Sequence, residues 1–258
     1  WGRWGGDAPG MDLIRYVVVG DGAAVLLVHA GVCDARMWGP QLADLGRDHR
    51  VIAPDLRGYG ETPLEVGAKY SDAGDLLDLL DELGLDQVAV VGASYGANVV
   101  LQAASRAPER FSRLVLLAPP VFTLPRTDDL LAFGAEEDRL LDADDVDGAT
   151  DLNVRSWLGP EADDEARELV RVMQKRAFEV QIAAGDVENE DYEVRPELIT
   201  APVKLFTGAH DFRFFHDSAA YLVGSLPDVE HVELPWAGHL PTLERPAEGV
   251  DLVRNALS

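Results

Sequence analysis

The chain has 258 residues, 47% hydrophobic and 26% charged, with one cysteine and a formal charge of −24. This apolar content is too high for a disordered chain, one cysteine excludes a disulfide scaffold, and no apolar run reaches the roughly 20 residues that cross a bilayer. Acidic residues outnumber basic ones 46 to 22, a balance that repels phosphate backbones and anionic lipid and argues against nucleic acid and membranes as partners.

Residues 1–10, WGRWGGDAPG, contain no apolar leader segment. They read as a tail or cloning scar ahead of Met11, with an ordered extension anchored by Trp1 and Trp4 as the alternative. From Met11 on, short runs rich in Val, Leu and Ile alternate with helical patterns. Strands are expected at 13–19, 25–29, 51–53, 88–91, 114–117, 203–206 and 229–234. Helices are expected at 42–45, 72–83, 95–107, 216–226 and 243–257, with Asp34 and Ser71 as helix-start caps. Near-continuous apolar runs are the pattern of strands covered on both faces, and strand–helix alternation predicts an α/β fold with a mostly parallel central sheet flanked by helices.

Residues 119–200 break that rhythm. They hold no convincing strand, and helices are expected near 128–141, 151–158 and 163–184. The stretch carries 22 acidic and 8 basic residues, net −14 over 82 positions. The chain thus divides into a core of 11–118 and 201–258 and a helical acidic lid at 119–200. Phe122, Phe133, Trp157, Met173 and Phe178 are candidates for the inner face of that lid; a solvated helical layer is the plainer alternative.

The sharpest local signal is Gly92-Ala93-Ser94-Tyr95-Gly96, between an expected strand and an expected helix. A turn this tight strains its central residue, and glycines two positions before and after let neighbouring chain approach. It leaves the Ser94 hydroxyl at a helix N-terminus, where developing negative charge is favoured. A serine needs a base. His239 lies in Gly238-His239-Leu240-Pro241, just after the last strand. His231 falls inside that strand, and His49 and His216 read as surface residues. The base needs a carboxylate. Asp211 follows the strand at 203–206, where open α/β sheets place their sites. Its rival Asp217 falls in the next helix, and the loop after the preceding strand reads Ala118-Pro119-Pro120, without an acid. The candidate catalytic set is Ser94, Asp211 and His239, in that chain order.

These motifs resemble the α/β-hydrolase superfamily over nearly the whole length from Met11. Val28-His29-Ala30-Gly31-Val32 is similar to the family's oxyanion loop, with Ala30 where glycine is usual. The stretch 55–62, DLRGYGET, is similar to its D-x-R-G-x-G-x-[ST] turn, and Gly238–Pro241 with Glu244 and Pro246 to its histidine loop. The stretch 29–38 is similar to the small-molecule esterase and enol-lactonase branch. The resemblance implies that the backbone N–H groups of Gly31 and Tyr95 form an oxyanion hole and that His29 is structural. Val32, Trp38 and Trp157 are the candidates for the substrate pocket, with packing of the first helix on the sheet as the other reading of Trp38. Cys33 reads as a buried apolar residue and Arg36 as a surface residue.

Neither a zinc-like ligand spacing nor a phosphate- or dinucleotide-binding fingerprint appears, so no metal or cofactor is expected. The expected activity is a serine hydrolase cleaving an ester or lactone of a small molecule through an acyl-enzyme intermediate. Carbon–carbon hydrolysis, acyl transfer or a lyase step with the same triad is the alternative, and a non-catalytic ligand-binding protein is a third reading. The lone cysteine fits a cytoplasmic location, and nothing in the pattern specifies an oligomeric state.

Overall fold

The computed structural model describes residues 3–5 and 14–258. Strands β1 (Arg3–Gly5), β2 (Tyr16–Val19), β3 (Ala23–Val28) and β4 (His49–Pro54) come first, with helix α1 (Gly39–Leu45) between β3 and β4. The short strand β5 (Lys69–Tyr70) and helix α2 (Asp72–Glu82) follow, then β6 (Val88–Ala93), α3 (Tyr95–Arg106) and β7 (Phe111–Leu117). Helices α4 (Asp128–Asp142), α5 (Val146–Trp157) and α6 (Asp164–Ala184) lead to β8 (Glu188–Asn189). The chain ends with β9 (Val203–Gly208), α7 (Arg213–Ser225), β10 (Val229–Leu234), α8 (Pro241–Glu244) and α9 (Pro246–Leu257).

The main sheet has the order β1-β2-β4-β3-β6-β7-β9-β10. Pairing is antiparallel across β1, β2 and β4 and parallel from there on. All seven expected strands are present. β1 adds an edge strand inside the segment read as a tail. The remaining expectations for residues 1–10, including anchoring by Trp1 and Trp4, lie outside the described residues and side chains.

Period-two alternation along the strands divides the core between the two faces of the sheet. Leu26, Val28 and Val90 share one cluster with Leu76 and Leu79 of α2 and Val100 and Ala104 of α3. Val25, Leu27 and Val91 share the other with Leu45 of α1 and Val253 and Ala256 of α9. β10 is at the edge and is mostly exposed or half-buried, with no fully covered residue.

Three departures from the sequence expectations have physical reasons. The helix expected over 243–257 breaks at Arg245 (φ −136°, ψ 86°). The residue before a proline is pushed out of the α region, and Pro246 starts a new helix at its first turn. α5 begins five residues earlier than expected, because the Asp145 carboxylate caps it by accepting from the Gly148 N–H at 2.9 Å. The stretch 119–200 does hold a strand, β8, which pairs in parallel with β5. Two residues, Glu188 and Asn189, carry no apolar pattern to announce it.

Candidate active site

The turn from β6 into α3 places Ser94 at φ 49°, ψ −120°. Such a conformation in a non-glycine residue costs on the order of 1–3 kcal/mol and persists only where the surroundings enforce it. Here the Ser94 N–H donates to the Leu117 carbonyl of β7 at 2.8 Å, and the Ala97 N–H donates to the Ser94 carbonyl at 2.8 Å. A Cβ on Gly92 would lie 2.7 Å from the Ala97 Cα, and one on Gly96 would collide with the carbonyls of Val28 and His29. Both glycines are therefore demanded by close approach.

The Ser94 Oγ is 2.6 Å from His239 Nε2, and His239 Nδ1 is 2.7 Å from Asp211 Oδ2. The side chains of His239 and Asp211 are 2% and 0% exposed. Asp211 Oδ1 accepts from the Phe212 N–H at 2.7 Å, just before α7 starts, so the acid is held at both oxygens. The loops that carry Asp211 and His239 touch: the His210 N–H donates to the Ala237 carbonyl at 2.9 Å, and a Cβ on Gly208 would run into the Ala237 and Gly238 carbonyls. The buried Glu244 carboxylate accepts from the N–H groups of Gly238 (2.8 Å) and Leu240 (3.1 Å), fixing the loop on either side of His239. The rings of Phe215 and Trp157 stand 4.2 and 4.7 Å from the imidazole, and the His239 N–H donates to the Trp157 carbonyl at 3.2 Å.

The rival residues lie elsewhere. His231 Nε2 meets the Thr207 hydroxyl at 2.9 Å, His49 pairs with Asp48, His216 faces Glu233, and Asp217 faces Arg213. His29 is buried. Its Nδ1 donates to the Ala30 carbonyl, its Nε2 accepts from the Leu56 N–H at 2.9 Å, and burial holds its pKa below the ordinary value. In the turn at 55–62, Asp55 accepts from the N–H groups of Ala35 (2.7 Å) and Glu61 (2.9 Å), and the Thr62 hydroxyl donates to the Asp55 carbonyl at 2.7 Å. Burial pushes the Asp55 carboxyl up to about 7.

Ser94, His239, Gly31 and Tyr95 open onto a cavity of about 280 Å³. Gly31 lies against Tyr95: a Cβ added to it would be 3.2 Å from the Tyr95 Cβ. Val32 and Trp157 line the cavity. Trp38 does not; it is wholly buried in the core cluster with Leu27, Leu45 and Val253, because the single turn after Asp34 directs it against the sheet. Cys33 is buried, and Arg36 is exposed and paired with Asp34 at 2.6 Å. Of the lid candidates, Phe133 and Phe178 also line the cavity, Met173 is 1% exposed in the core, and Phe122 is 54% exposed on the surface.

Other residues at the site were not anticipated from the sequence: Tyr59, within the 55–62 turn, and Glu137, Asn153, Gln174 and Gln181, which carry no motif, complete the wall. The Tyr95 hydroxyl turns away to donate to Asp72 Oδ2 at 2.5 Å, and the Asn189 side-chain amide donates to both Asp72 (3.0 Å) and the Tyr95 oxygen (2.7 Å). Burial pushes the Asp72 carboxyl up to about 6. Tyr59, Tyr95 and Gln181 also face a neighbouring cavity of about 240 Å³. Among the described residues, no cluster of three or more His, Cys, Asp or Glu is arranged to hold a metal, and no helix is long and apolar enough to cross a membrane.

A family model of the alpha/beta hydrolase fold matches residues 23–246. The chain is 28% identical to a strigolactone esterase of Arabidopsis thaliana over 96% of this chain and 97% of that one. It is 40% identical to a 2-hydroxy-6-oxo-2,4-heptadienoate hydrolase of Pseudomonas putida, over 43% of each chain, so that match spans less than half of the relative's length. Among solved structures, a thermophilic esterase from Thermogutta terrifontis superposes with a TM-score of 0.78 at 25% identity, over 95% of this chain and 93% of that one.

Proposed function

This chain belongs to the α/β-hydrolase fold family, and from that premise we propose that it is a serine hydrolase of small-molecule esters or lactones, working through an acyl-enzyme. The observation that carries the proposal is the continuous contact from the Ser94 Oγ through His239 to Asp211, on a backbone turn held in strain for the purpose. Ser94 attacks the carbonyl carbon while His239 Nε2 takes its proton. Asp211 holds Nδ1–H and stabilises the imidazolium. The backbone N–H groups of Gly31 and Tyr95 stabilise the alkoxide oxygen. His239 then protonates the leaving alcohol, which stays tethered in a lactone. Water attacks the acyl carbon as His239 takes a proton from it; the acyl carbon–Oγ bond then breaks, His239 returns the proton to Ser94 Oγ, and the free acid leaves.

Helices α4, α5 and α6 act in this proposal as a lid. Phe133 and Glu137 of α4, Trp157 of α5 and Phe178 of α6 form the wall that faces Ser94. The substrate is a small molecule, the cavity being about 280 Å³. The proposed location is the cytoplasm.

A second reading gives the same triad to carbon–carbon hydrolysis, and the match to a heptadienoate hydrolase keeps it in view. A carboxylate-bearing substrate fits this cavity poorly, however. Its wall includes no lysine or arginine among the described residues, and Glu137 adds a carboxylate. Short-chain p-nitrophenyl esters test the ester reading. Wild-type protein is expected to hydrolyse them, and Ser94→Ala to lose on the order of 10⁴-fold or more in kcat. Full turnover by Ser94→Ala would overturn the proposal.

A further inference from the structure

The roof of the catalytic cavity has a polar character that ester hydrolysis does not require. Glu137 of α4 lines it, and no lysine or arginine pairs with this carboxylate among the described residues. Asn153 donates to Glu137 Oε1 at 2.5 Å, and burial holds the carboxyl above its ordinary pKa, with Asp138 adding to the shift. Gln174 of α6 lines the same cavity. It is 4% exposed, and its Oε1 has no hydrogen-bond partner. A buried acceptor left unpaired costs about 1–3 kcal/mol, so a cavity lined by one and by a carboxylate without an ion-pair partner is shaped for a ligand that brings donors. The rings of Phe133, Trp157 and Phe178 line the remainder of this wall.

Taking the hydrolase reading as its basis, we infer that Glu137, Gln174 and this aromatic wall form a recognition site for a primary ammonium group, making the substrate an ester or lactone that carries an amine. An ammonium supplies three N–H donors and a positive charge. That is enough to serve both acceptors, and aromatic faces add attraction for the cation. A hydroxyl offers one donor and no charge; a carboxylate offers neither. The site is also wired to the catalytic base. The Trp157 Nε1–H donates to Asn153 Oδ1 at 2.7 Å, Asn153 donates to Glu137, and the Trp157 carbonyl and ring rest on His239. A ligand seated on Glu137 thus bears on the element that roofs the imidazole.

Calorimetric titration with hexylamine, hexan-1-ol and hexanoate at neutral pH reads the site without requiring turnover. Wild-type protein is expected to bind hexylammonium about tenfold or more tightly than hexan-1-ol, with hexanoate weakest. Glu137→Gln keeps the acceptor for Asn153 and is expected to bring the amine to within about twofold of the alcohol. Equal binding of amine and alcohol by wild-type protein overturns the inference. So does an undiminished amine preference in Glu137→Gln, which would assign the attraction to the general negative charge of the surface. Turnover of p-nitrophenyl 6-aminohexanoate and p-nitrophenyl hexanoate separates the two readings. Hydrolysis of both with equal kcat/KM removes the ammonium site and leaves the hydrolase. Amine binding by a protein that hydrolyses neither removes the hydrolase and leaves the site.

Discussion

Ser94 shows how much of a site one residue's backbone can demand. Its φ of 49° is held by backbone partners on both sides, and the two glycines of its motif are there because carbonyls and a helix Cα occupy the space a Cβ would need. Gly96→Ala, which drives a Cβ into the His29 and Val28 carbonyls, is expected to lower stability by about 1–3 kcal/mol or more in urea unfolding. An unchanged midpoint would mean that the elbow is looser than its contacts indicate. Asp211→Asn keeps the shape of the acid but removes its charge and disturbs the imidazole tautomer. It is expected to reduce kcat by about 10³–10⁴-fold with little change in fold, which circular dichroism beside ester kinetics checks. At this scale the grouping of Ser94, His239 and Asp211 was legible, because each lies in a short loop just after an expected strand. The wall was not. Glu137, Asn153, Gln174 and Gln181 sit on helices whose sequence shows only helical spacing, and which face of a helix meets a cavity depends on packing. Trp38 illustrates the reverse case. The sequence offered it to the pocket or to packing of the first helix on the sheet, and the turn after Asp34 sends it into the core.

Elements were read correctly where burial imposed a pattern and missed where pairing or capping alone made them. The β3 and β6 strands are covered on both faces and announce themselves as Val and Leu runs. β5 and β8 are two residues each and exist through mutual backbone pairing. The start of α5 depends on one cap, and the break before α9 on one proline. The histidine loop between β10 and α8 is the element most directly tied to chemistry, since Glu244 holds the backbone on both sides of His239. Glu244→Ala leaves two buried N–H groups unpaired, at about 1–3 kcal/mol each. It is expected to cost stability and to lower kcat more than it raises KM, because the base is displaced while the cavity wall remains. A variant with wild-type kcat would show that the loop holds itself.

The molecule as a whole combines a neutral, tightly packed sheet with a surface of net charge −24, more than half of which lies on 119–200. Burial raises the carboxyls of Asp55 to about 7 and Asp72 to about 6. Both groups bind protons more tightly in the fold than in the unfolded chain. The stability they contribute is therefore complete below the ordinary Asp value of about 3.9 and is lost as pH rises through 6 and 7. His29, whose pKa burial lowers, acts in the opposite sense: its contribution is complete above about 6.5 and is lost as pH falls. Glu137, also raised by burial, sides with the two aspartates, and His231, also lowered by burial, sides with His29. Repulsion among the surface carboxylates adds to the carboxyl side. Urea midpoints are therefore expected to be higher near about pH 5 than near about pH 8, and the reverse order would show that these carboxyls are hydrated in the folded state.

The chemistry itself is tested most directly by following acetyl transfer from p-nitrophenyl acetate and locating the acyl group by peptide mass spectrometry after acid quench. The expected result is a burst of nitrophenolate approaching one per chain, an acetyl group on the peptide containing Ser94, and loss of both burst and adduct in Ser94→Ala. An acetyl group carried on another residue, or steady hydrolysis continuing undiminished in Ser94→Ala, would contradict it.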